Sequence, residues 1–117
     1  MTPVELLRAA DALLTGATPG MGRCWQRACA ALLRTALEHI LRAYWRHRAP
    51  SVVEATMRSQ LLILPVVADG AVADVARRAW NGLSRAVHHH TYELPPTAAE
   101  LRGWYEDVVH LHDVLRQ

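Results

Sequence analysis

Lysine and phenylalanine are absent from this chain of 117 residues, cysteine occurs twice, and no apolar run is long. The longest such run, residues 61–68, falls well short of the ~20 residues that a membrane-spanning helix requires, and it contains Pro65. Met1-Thr2-Pro3-Val4-Glu5 lacks the basic start and apolar stretch of a secretory signal. Cys24 and Cys29 lie five apart, so on one helix they point in different directions and neither a disulfide nor a Cys-x-x-Cys metal site is expected. Reduced thiols, a cytoplasmic location and no membrane partner follow as expectations. Every basic residue is an arginine. Arginine is the better bidentate ligand for phosphate, but an alanine-rich chain without lysine or phenylalanine is more simply the imprint of GC-rich coding.

What remains is the composition of an ordinary globular protein, 51% hydrophobic and 21% charged, which argues against disorder. The length fits one domain over residues 1–117. A formal charge of +2 and a pI near 8.8 permit an anionic partner without demanding one.

The periodicity is helical throughout. Thr2-Pro3-Val4-Glu5 reads as a capping box with proline at the first helical position, followed by Leu6, Leu7, Ala10, Leu13 and Leu14 until Gly16 stops the run. A loop rich in glycine follows. Residues 22–48 contain no breaker, and Trp25, Cys29, Leu32, Leu33, Ala36, Leu37, Ile40 and Tyr44 recur at helical spacing, which predicts a long central helix. Arg23, Arg27, Arg34, Glu38 and Arg42 form its other side, expected to be solvated. Trp45 projects toward this arginine side and is a candidate for a subunit contact, while His39 and His47 fall near the apolar face.

Pro50 ends that helix, and Ser51-Val52-Val53-Glu54 reads as a second capping box. Residues 61–67 are rich in β-branched side chains, but a lone strand would leave its backbone unpaired, so a buried helix end broken at Pro65 is expected. Residues 71–88 form the next helix, with Val72, Ala76, Ala79, Trp80, Leu83 and Val87 inward and Arg85 outward. Thr97-Ala98-Ala99-Glu100 is a third capping box, opening a last helix with Leu101, Trp104, Val108, Leu111 and Leu115 on one stripe. The expected fold is an all-α, single-domain helical bundle of four principal helices, five with the proline-broken segment.

Chemistry concentrates at Arg85-Ala86-Val87-His88-His89-His90-Thr91-Tyr92. A helix C-terminus decorated with cations accounts for Arg85, His88 and His89 through the helix dipole, but gives no reason for three consecutive histidines followed by Tyr92. A metal held by His88, His90 and Glu93 with His110 or His112 is disfavoured, because His110 and His112 are two apart on a helix and diverge. No metal or other cofactor is expected.

The pattern of an arginine, any four residues, a histidine, any residue and a tyrosine resembles the HEPN superfamily, compact helical bundles of toxin–antitoxin and antiviral defence systems. Many of its members are metal-independent ribonucleases. The resemblance implies that Arg85 binds the scissile phosphate, that His90 is the general acid or base, and that Tyr92 supports the site. His88, His89, Arg78 and Asn81 are then candidates for substrate contact. It also implies RNA as substrate, a homodimer that brings two motifs together, and an antitoxin or effector as protein partner. The family usually has asparagine or another polar residue after the arginine, where this chain has Ala86. A non-enzymatic helical module that docks on another protein is therefore the second reading.

Overall fold

The computed structural model describes residues 1–16, 22–88 and 94–116. Five α-helices follow one another: α1 (Pro3–Leu14), α2 (Trp25–Arg48), α3 (Met57–Val67), α4 (Gly70–Val87) and α5 (Ala98–Leu115). Short 3₁₀ turns at Gly22–Cys24 and Pro50–Glu54 lead into and out of α2. Among the described residues there is no strand, and the expected all-α bundle is what forms.

The bundle is organised around α2, which packs against α1, α4 and α5. With neighbours on several sides its buried arc is wide, taking in Cys29, Leu33, Leu37, Ile40, Leu41, Tyr44 and Trp45. Trp45 is 1% exposed and meets Tyr44 edge-on at 5.4 Å. Its expected place at an exposed subunit contact is thus wrong, because a helix enclosed on several sides has no single outward face. The arginine side of α2 is solvated in part: Arg27 is exposed as expected, while Arg34, Glu38 and Arg42 are half-buried. Arg34 donates from Nε to Ser84 Oγ at 3.0 Å and lies 4.2 Å from the centre of the Trp80 ring. Arg27 donates from Nε to the Val87 carbonyl at 2.9 Å. Arg42 keeps to an ion pair along its own helix, with Glu38 at 2.9 Å.

Two of the three capping boxes form. Thr2 and Glu5 close α1, and Thr97 and Glu100 close α5, each pair exchanging side-chain and backbone hydrogen bonds. The third does not: residues 50–54 make a 3₁₀ turn, Ala55 is extended, and Thr56 caps α3 by accepting from the Ser59 N–H at 3.2 Å. The buried amide of Gln60 fixes this corner by donating to the carbonyls of Ala55 at 2.9 Å and Val53 at 3.3 Å.

Pro65 does not break α3, which continues to Val67. The helix ends within two residues of the proline, so only one intrahelical bond, to the Leu61 carbonyl, is forfeited. Leu61 and Leu64 are buried, but Leu62, Ile63, Val66 and Val67 are exposed, contrary to the expectation of a buried end. The cause is position, since α3 packs mainly on α4 and has no neighbour on its outer side among the described residues.

Candidate functional site

The site grows from the last two turns of α4. This helix buries Ala73, Ala76, Ala79, Leu83 and Ala86, while Val72, Trp80 and Val87 are only partly covered. The inward arc is rotated toward Ala86 from the one the sequence pattern suggests. Arg85, one residue before Ala86, therefore stays outside and is exposed, as expected. Among the described residues its guanidinium has no ion pair.

Arg85 lines a cleft of about 300 Å³ between the end of α4 and the start of α5, together with Gly82, Leu94, Pro95, Pro96 and Trp104. Its shape depends on Gly82: a Cβ there would lie 2.7 Å from three atoms of the Trp104 indole, so only glycine lets the ring pack this close to α4. Thr97 and Glu100 form the rim, where the Glu100 carboxylate accepts from the Thr97 N–H at 3.0 Å and from its hydroxyl at 3.1 Å. One exposed guanidinium beside an indole and two prolines suits a ligand that carries a phosphate next to a flat ring.

His88 caps α4, exposed, its N–H donating to the Ser84 carbonyl at 3.1 Å. The Arg27 bond to the adjacent Val87 carbonyl adds a further cation to this helix end, where the dipole favours it. Arg27 was not legible as a site neighbour, because nothing in its own stretch tells which carbonyl it will meet. His89, His90 and Tyr92, with Thr91 and Glu93, lie outside the described residues.

The remaining expected contacts separate. Arg78 is exposed two turns before Arg85, about 10 Å along the axis, near enough to Asp107 of α5 for its charge to act there. Burial pushes the Asp107 carboxyl above its ordinary range, and the Arg78 guanidinium pulls it part of the way back. Asn81 instead lines a different groove, between α3 and α4, with Arg58, Leu61, Leu62, Arg77 and Trp80. Arg78 and Arg85 thus share the α5 side of α4, and Asn81 turns toward α3.

His47 is exposed, and it lines a groove between α2 and α5 together with half-buried His112, neither of them in the Arg85 cleft. Among the described residues no group of three or more histidine, cysteine, aspartate or glutamate side chains is placed to hold a metal ion. Cys24 and Cys29 are both free thiols. No described helix is long and apolar enough to cross a membrane. Compared with known proteins, the chain matches no family model, no curated protein and no solved structure.

Proposed function

We propose that this chain is a HEPN-like RNA-binding domain that cleaves RNA without a metal, in a defence or toxin–antitoxin setting. The observation that carries the reading is Arg85, exposed and without an ion pair among the described residues, at the mouth of a cleft walled by Trp104, Pro95 and Pro96. A phosphodiester at Arg85 would receive a bidentate pair of N–H donors, and the adjoining base would lie against the indole.

His90 follows Arg85 by five residues in the sequence and supplies proton transfer near neutral pH. Cleavage then proceeds by attack of the ribose 2′-oxygen on phosphorus. The 2′-hydroxyl loses its proton to a base, the bond to the 5′-oxygen breaks, and that oxygen takes up a proton from an acid. Arg85 stabilises the charge that builds on the phosphoryl oxygens, and Tyr92 supports the histidine. In a homodimer the second copy of the motif provides the second histidine that such a step uses.

The test is incubation of labelled single-stranded RNA with the protein in EDTA. Wild type is expected to cleave. Arg85→Ala should cut the rate by roughly a hundredfold or more and weaken binding, whereas His90→Ala should abolish cleavage while binding persists. Cleavage that disappears with chelator would replace this reading by a metal site at the histidines. Absence of cleavage by the wild type would leave the non-enzymatic module, which Ala86 favours: its side chain is 6% exposed and puts a methyl where the family usually has a polar group.

A further inference from the structure

The outer side of α3 is apolar and uncovered among the described residues. Leu62 is 70% and Val66 is 81% exposed, four residues apart and so on one face. Ile63 and Val67 widen the strip at 38% and 43%. An apolar run of this kind belongs in a core, and scattered single exposures do not describe it.

The strip continues into a groove of about 440 Å³ between α3 and α4, floored by Leu61, Leu62 and Trp80 and flanked by Arg58, Arg77 and Asn81. Arg34 lies over the Trp80 ring at 4.2 Å from its centre. The flanking charge is of one sign. Arg58 has no ion pair among the described residues, and Arg77 reaches Asp74 only at 3.5 Å with both side chains more than half exposed. Among the described residues no carboxylate lines the groove, and α3 itself contains none.

From this we infer that the α3–α4 groove docks an amphipathic helix of another polypeptide, its apolar stripe on Leu62 and Val66 and its flanking carboxylates against Arg58 and Arg77. A helix laid in a groove meets both the floor and the rim through residues three and four apart. A second copy of α3 is a poor occupant, because α3 carries no carboxylate to set against Arg58 and Arg77. A bilayer surface would touch the strip but leave the concave floor beside Trp80 unfilled. The inference is independent of RNA cleavage, as the groove opens on the α3 side of α4 and the Arg85 cleft on the α5 side.

Two designed helical peptides with the same leucine stripe test it, one flanked by glutamates and the other by lysines, titrated into isotope-labelled full-length protein. The acidic peptide is expected to bind, with amide shifts at Arg58, Leu62, Val66 and Trp80, and the basic one to bind at least roughly tenfold more weakly. Leu62→Glu should abolish binding. The double reversal Arg58→Glu with Arg77→Glu should invert the preference, a result that general loss of structure cannot produce. Equal binding of the two peptides, no binding of the acidic one, or shifts confined to another face would overturn the proposal. So would self-association, or binding to anionic phospholipid vesicles, that Leu62→Glu abolishes, since either would identify a different occupant.

Discussion

Gly82 sets the shape of the candidate site, because it decides how close α5 can come to α4. A methyl group at this position meets the Trp104 ring at 2.7 Å, and the indole is too rigid to give way by bending. Gly82→Ala should gain up to about 1 kcal/mol in helix propensity and lose about 1–3 kcal/mol to overpacking. The expected net effect in urea denaturation is destabilisation, with Gly82→Ala plus Trp104→Leu recovering much of it. A Gly82→Ala protein more stable than wild type would mean that the ring moves freely and that the cleft has no fixed shape. Cys29 is the second residue with a measurable consequence. Its buried thiol donates to the Ala10 carbonyl at 3.7 Å, and burial pushes its pKa from 9.0 up to about 11. The folded state therefore holds this proton more tightly than the unfolded one, so the associated stability is complete below pH 9 and is lost as pH rises toward about 11. Stability measured across that window should fall more steeply in wild type than in Cys29→Ala. In the native protein near neutral pH a thiol reagent should label exposed Cys24 and reach Cys29 only on unfolding.

At the scale of elements, legibility followed locality. The Thr2–Glu5 and Thr97–Glu100 boxes formed because each closes on itself within four residues, whatever else the chain does. Ser51 and Glu54 match the same pattern but lie where α2 must turn into α3. There the Gln60 amide, six and nine residues on, gathers the Val53 and Ala55 carbonyls and moves the cap to Thr56. Pro65 misleads for a related reason: a proline breaks a helix that has far to go, and α3 has only two residues left. The outward direction of Arg85 was readable because a helix fixes the angle between neighbours, and burial of Leu83 and Ala86 sends Arg85 outside. Which partner each polar residue faces was not readable. Arg78 lies on the α5 side, Asn81 lines the groove toward α3, and Arg27 crosses from α2 to the end of α4, and all three depend on how helices dock, which periodicity within one helix does not encode.

For the whole molecule, α2 sets both shape and stability. Its 24 residues span about 36 Å, which accounts for most of the 42 Å long axis of a particle 28 and 24 Å across. Helices α1, α4 and α5 are tied to α2 and partly to one another, and the Asp11–Arg102 pair at 3.0 Å adds a partly exposed link between α1 and α5 that is worth at most about 1 kcal/mol. Helix α3 stands apart, resting chiefly on α4, with Leu62, Ile63, Val66 and Val67 exposed and one hydrogen bond forfeited at Pro65. The two parts should therefore open at different free energies. In native-state hydrogen exchange, amides of α2 between Leu33 and Leu41 are expected to exchange only with global unfolding. Those of α3 around Leu62 and Ile63 should exchange through a local opening, with protection lower by roughly tenfold for every 1.4 kcal/mol that separates the two. Equal protection in α2 and α3 would show a single cooperative unit. Selective protection of α3 on adding the acidic helical peptide, with α2 unchanged, would mark the groove as the place where this loosely held helix gains the neighbour it lacks.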